Sequence, residues 1–184
     1  MSGELFESRQ SLSEELLPAL RAFLASPAAE QAQAALREQA PGTVVAMRVS
    51  EPELDVWVDF DALEAGEAVR DDAVATVEID ADTLHFLGMD ELSPTQIARA
   101  TEERWINAGG NFAALLVLLD SLEPLGAAWR ETLADHGRED LLGAEAPEPT
   151  AIYSIDETKV RYGYVPEYAK GSRRPPAQVT RRPE

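Results

Sequence analysis

Residues 111–122, NFAALLVLLDSL, restrict the possible folds more than any other stretch. Phe112, Leu115, Leu116, Val117, Leu118, Leu119 and Leu122 cover nearly the whole circumference of a helix, and Asn111 is a good N-cap for it. A helix apolar all round has to be enclosed, and burying seven such side chains contributes roughly 10–20 kcal/mol, an upper bound. The run falls far short of the ~20 residues that a membrane span needs. The expectation is therefore an enclosed helix inside a soluble domain.

The preceding residues, LSPTQIARATEERWINAGG, set up that helix. Ser93 with Gln96 has capping-box spacing and Pro94 sits where its missing N–H costs nothing, so a helix is expected from Ser93 through Ile97 to about Thr101. A short strand over residues 103–107 follows, and Gly109-Gly110 reads as the turn that ends it.

Toward the N-terminus, Ser11-Leu12-Ser13-Glu14 is a second capping-box pattern, with Leu16, Leu17, Leu20, Phe23 and Leu24 at helical spacing and Pro18 as an alternative start. Ser26-Pro27 opens an alanine-rich helix that Pro41-Gly42 stops. Two strands come next. Val45, Met47 and Val49 share a face over residues 43–49, and Leu54, Val56, Val58 and Phe60 share one over residues 54–60. Ser50-Glu51-Pro52-Glu53 joins them, and Asp55, Trp57 and Asp59 point the other way, toward water or partial cover. A polar loop over residues 61–73 leads to a third strand, 74–79, with Ala75, Val77 and Ile79 inward, which is expected to complete an antiparallel meander. Asp80 then caps a helix carrying Leu84, Phe86 and Leu87, and a last helix from Pro124 runs to His136-Gly137 with Leu125, Ala128, Trp129 and Leu133 on one side.

Charge narrows the function classes. The chain of 184 residues has a net charge of −18, divided between −23 on residues 1–158 and +5 on residues 159–184. A body that acidic repels nucleic acid and anionic membrane surfaces. Cysteine is absent, which removes disulfides, thiol catalysis and zinc–thiolate sites. The opening MSGELFESRQ lacks the basic and apolar regions of a signal peptide, so a cytoplasmic setting without an integral membrane segment is expected. All four tyrosines lie after residue 150, in AIYSIDETKVRYGYVPEYAK. That stretch reads as a strap, and GSRRPPAQVTRRPE reads as a free basic tail able to engage a protein partner.

Chemistry-bearing residues are few. His85, between Leu84 and Phe86, has Asp82 one turn earlier and is the one weak catalytic candidate; a half-buried structural role is the stronger reading. His136 follows a helix and reads as structural. The carboxylate pairs Asp55 with Asp59, Asp71-Asp72 and Glu102-Glu103 lack metal-binding spacing and read as solvated charge. Gly109-Gly110 is neither GxGxxG nor a GK[ST] loop, and no GxSxG, HExxH or kinase set occurs. Trp57 suits a pocket mouth or partner surface, and Trp105 the core. No cofactor is expected.

Three segments carry a family likeness: GTVVAMRVSEPELDVWVDF, DAVATVEIDADTLHFLGM and LSPTQIARATEERWINAGGNFAALLVLL. Together with the order of helices and strands they resemble the sterol carrier protein 2 (SCP2) family over about residues 18–125. Two departures are Ala100-Thr101, where the family usually has glycine before the strand, and a longer strand-to-helix turn. The resemblance implies an α+β fold over residues 1–142, in which helices cover a mixed, mainly antiparallel sheet around an apolar cavity, with residues 143–184 as a C-terminal extension. It also implies a carrier of sterol, fatty acyl or similar lipid, lined by Val45, Met47, Val56, Val58 and Phe60 from the strands and by Leu84, Leu87, Ile97, Trp105, Phe112, Leu115, Leu116 and Leu119. Two alternatives stay open: an isomerase or cyclase using His85 on the same scaffold, and a ligand-free interaction module.

Overall fold

A computed structural model of the chain describes residues 5–92, 97 and 106–146. The chain divides into two units, Met1–Ala146 and Pro147–Glu184, and the second, with its tyrosines and basic tail, lies outside the described residues. The first unit contains, in order, α1 (Arg9–Leu24), α2 (Pro27–Gln39), β1 (Val44–Ser50), β2 (Leu54–Asp59), β3 (Glu64–Glu67), β4 (Ala75–Asp80), α3 (Ala81–Gly88), β5 (Ile106–Gly110), α4 (Phe112–Asp120), α5 (Leu122–Asp135) and α6 (Glu139–Leu142). Of the helix expected from Ser93, Ile97 is described and is helical. The start of the strand expected at Glu103, the pair Glu102-Glu103 and Trp105 lie outside the described residues.

The five strands form one sheet in the order β3-β2-β1-β4-β5. β1–β2, β2–β3 and β4–β5 pair antiparallel and β1–β4 pairs parallel, so the α+β sheet is mixed and mainly antiparallel. This corrects the meander expected from the sequence. The third strand of the meander is β3, inside the stretch 61–73 expected to be loop, and β4 returns to the far side of β1. β3 is hard to see in sequence because Glu-Ala-Gly-Glu offers one buried residue, Ala65, and no alternating apolar pattern.

Register places the apolar faces together. Val45 stands opposite Val58 and Ala75, Met47 opposite Val56 and Val77, and Val49 opposite Leu54 and Ile79. The helices cover this face. On the other face Arg48 lies between Asp55 and Glu78, at 3.8 and 3.7 Å. Trp57 is there too, beneath the Arg70 guanidinium at 4.8 Å and against Gly66, where a Cβ would come within 2.9 Å of the indole.

Local chemistry explains the helix starts. Ser8 and Ser11 exchange side-chain and backbone hydrogen bonds, so α1 begins one turn before the expected Ser11 box and carries Pro18 in its interior. Leu12, Leu16, Leu20, Phe23 and Leu24 form its buried face. Pro27 opens α2 as expected, although the Ser26 hydroxyl makes no capping bond. Asp80 caps α3 by accepting from the Thr83 N–H at 2.9 Å and the Thr83 hydroxyl at 2.6 Å, and Asn111 caps α4 by accepting from the Ala114 N–H at 3.0 Å. Gly109 and Gly110 belong to β5 rather than to a turn after it. Gly110 has φ +105°, and a Cβ there would lie 2.4 Å from the Val74 carbonyl oxygen, so this strand end requires glycine.

One expectation fails outright: α4 is not enclosed. Its buried residues are Ala114 and Val117, while Phe112, Leu116 and Leu119 are exposed. The inward positions are small, which lets the helix lie close over β4 and β5 and turns the bulkier side chains outward.

Candidate functional site: an apolar cleft

The covered face of the sheet does not close against its helices everywhere. A cleft of about 110 Å³ remains between β1, β2 and β4 on one side and α1, α3, α4 and α5 on the other. Val45, Met47, Val56, Val58 and Phe60 form its floor, with Val77 and Ile79 beside them. Leu84 and Leu87 come from α3, Leu20, Phe23 and Leu24 from α1, and Leu118, Leu122 and Leu125 from the two helices after β5. A second void of about 30 Å³ lies among α1, α3 and α5 and shares Met47, Leu84, Leu87, Leu122 and Leu125 with the first.

The lining is almost free of hydrogen-bonding groups. Among the described residues its one polar side chain, Ser121, donates its hydroxyl to the Val117 carbonyl oxygen at 2.8 Å and has no proton left to donate into the space. Water entering such a space forfeits hydrogen bonds, whereas a hydrocarbon group loses none. Met47 in the shared wall can change shape at low cost, so the two voids are joined by an adaptable partition.

Seven of the thirteen proposed lining residues thus converge: Val45, Met47, Val56, Val58, Phe60, Leu84 and Leu87. Leu115 is half-buried against the core and does not line the cleft; Ile97 is half-buried and does not line it either. Phe112, Leu116 and Leu119 face away from it, at 72, 44 and 60 % exposure, because α4 turns its small residues inward. Leu20, Phe23, Leu24, Leu118, Leu122 and Leu125 were not foreseen as lining. The signal for the α1 trio was present in its helical spacing beside the strands.

His85 stands elsewhere. Its ring is fully buried, boxed by Phe6, Phe86 and Trp129, and it does not line the cleft. Trp129 donates its indole N–H to His85 Nδ1, and burial lowers the pKa of His85 to about 4. Asp82, expected to orient the imidazole, accepts from the Leu5 backbone N–H at 3.3 Å. His136 reaches Glu15 rather than a helix carbonyl, with its Nδ1 at 3.1 Å from Oε1. Among the carboxylates, Asp59 accepts from the Thr43 hydroxyl, and Asp72 pairs with Arg70. No group of three or more His, Asp or Glu with metal-binding geometry occurs among the described residues.

No family model and no curated protein matches the sequence. Solved structures do. Sterol carrier protein domain 2 of Helicoverpa armigera is 14% identical, with a TM-score of 0.47 over 69% of this chain and 95% of that one. Sterol carrier protein 2 of Yarrowia lipolytica, in its apo form, is 14% identical, with a TM-score of 0.42 over 59% of this chain and 87% of that one. The UbiJ-SCP2 ubiquinone synthesis protein is 20% identical, with a TM-score of 0.41 over 59% and 84%. All three carry the SCP2 name. In each, identity is 20% or lower and the TM-score is below 0.5.

Proposed function

We propose that residues 1–142 form a noncatalytic binding or carrier module, and that its apolar cleft takes the hydrocarbon part of a sterol, fatty acyl chain or similar lipid. One observation carries the proposal: a space of about 110 Å³ whose single polar side chain among the described residues, Ser121, is already hydrogen-bonded. Such a site discriminates by desolvation. Each methylene moved from water into it contributes about 0.8 kcal/mol before the costs of association, so binding needs no hydrogen bond. The proposed contacts are those of the floor and α3, with Leu118, Leu122 and Leu125 added from the later helices. A cytoplasmic setting belongs to the same proposal. The isomerase or cyclase reading is not favoured, because His85 is walled off from the cleft by its aromatic box.

The test is to denature the purified protein and examine its organic extract by mass spectrometry, beside an unrelated protein purified in the same way. A stoichiometric lipid, sterol or polyketide absent from the second extract is the expected result. A clean extract combined with no uptake of a fluorescent fatty acid contradicts the proposal.

A further inference from the structure

Leu122, at the start of α5, both lines the cleft and is 36 % exposed. From there the apolar surface continues along α4. Phe112, Leu116 and Leu119 stand at i, i+4 and i+7, on one side of the helix, at 72, 44 and 60 % exposure. Single exposed apolar residues are ordinary, but three on successive turns of α4, with Leu122 at the start of α5 also in the wall of the cleft, mark a surface made to be covered.

Size and charge say what covers it. A site that encloses a drug-sized ligand has roughly 300–1,000 Å³. The cleft and its neighbouring void, at about 110 and 30 Å³, hold only part of a lipid chain. The remainder has to stay in an apolar medium outside. Helix α4 carries no Lys or Arg, and the charged residues at its C-terminal end in sequence are Asp120 and Glu123. The basic face that draws an interfacial helix to anionic headgroups is therefore missing, and acidic neighbours disfavour such headgroups.

We infer that the α4 stripe and the rim at Leu122 form a docking face for a lipid surface without net charge, where the end of a chain enters the cleft while the rest stays in the lipid. The inference rests on the ligand class proposed above. It makes this chain a module that works on lipid at an interface, in contrast to a shuttle that encloses its whole cargo.

Flotation of the full chain with phosphatidylcholine vesicles tests the docking face, with vesicles containing phosphatidylglycerol in parallel. The wild type is expected to float with phosphatidylcholine, and less as phosphatidylglycerol is added. A Phe112→Ser/Leu119→Ser variant, altered only at exposed positions, should lose at least tenfold in vesicle binding while keeping its melting temperature and its uptake of a fluorescent fatty acid from solution. No flotation of the wild type, equal flotation of the variant, or stronger binding with phosphatidylglycerol overturns the inference. So does a concentration-dependent dimer that the variant dissolves and that ignores vesicles, which would make the occupant a second copy. Uptake without vesicles reports on the cleft alone. Intact uptake without flotation sinks only the docking face, whereas flotation without uptake sinks the ligand reading and the entry route with it.

Discussion

Trp129 donates its indole N–H to Nδ1 of His85 across 3.3 Å, joining α5 to α3 inside the aromatic box. A ring nitrogen that accepts leaves the proton of a neutral imidazole on Nε2, and among the described residues that atom has no hydrogen-bond partner in good geometry. Folding thus selects the uncharged ring. Burial dominates the drop of its pKa to about 4; the Leu141 backbone and Asp140 oppose the drop, and Arg138 reinforces it.

The sign of the pH dependence follows. The folded pKa of about 4 lies below the ordinary value of 6.5, so the stabilisation is complete above pH 6.5 and is lost as pH falls through 4. The difference corresponds to about 3 kcal/mol. Chemical denaturation should show stability falling over this window in the wild type and a shallower fall in His85→Phe. An unchanged slope in the variant would assign the effect to other groups.

Gly126 and Gly88 set the approach of the same two helices. A Cβ on Gly126 would lie 2.6 Å from the Gly88 carbonyl oxygen, which also accepts from Arg130 Nη1 at 2.8 Å. Alanine raises helix propensity by about 1 kcal/mol, but overpacking costs about 1–3 kcal/mol and disturbs the capping contact as well. Gly126→Ala should therefore lower the urea midpoint. A variant more stable than the wild type would show that the helices can separate freely.

Glu15, buried on α1, faces His136 Nδ1 at 3.1 Å and Arg138 Nη1 at 3.5 Å. Arg138 also grips Asp140, which holds that exposed carboxyl down to about 2. Removing Glu15 unties α1 from the end of α5, and the loss of a charged hydrogen bond costs about 1.5–3 kcal/mol. Glu15→Ala should lower the melting temperature and Glu15→Gln should recover part of it, because the carboxamide oxygen still accepts. Equal effects of the two would mean that packing alone holds the junction.

How much was legible in the sequence varies by element. The β1–β2 pairing followed from alternation, and the caps at Asp80 and Asn111 from their positions, because each is decided within a few residues. β3 and the parallel β1–β4 pairing depend on contacts between distant segments and left no local signature. The floor of the cleft was readable because every second residue of β1 and β2 points the same way. The outer wall was not: a helix apolar all round carries no information about which side meets the sheet, and here Ala114 and Val117 take that side.

That inversion changes what mutations should do. Leu116, which the resemblance puts in the lining, is 44 % exposed and outside the cleft, so Leu116→Asp should leave ligand uptake nearly unchanged. Asp55→Asn, on the opposite face of the sheet, should be equally silent. Fatty-acid titrations of both variants check this, and loss of uptake in either would mean that the cleft has been placed on the wrong surface.

The most direct test of the central claim is a fluorescence titration of a fatty acid into wild type, Leu116→Asp and Val58→Asp, each first shown by circular dichroism to be folded. Val58 lies on the floor of the cleft. Saturable uptake by the wild type and Leu116→Asp, with at least tenfold weaker uptake by Val58→Asp, is the predicted result. No saturable uptake by the wild type, or undiminished uptake by folded Val58→Asp, would contradict a ligand site between the sheet and its helices.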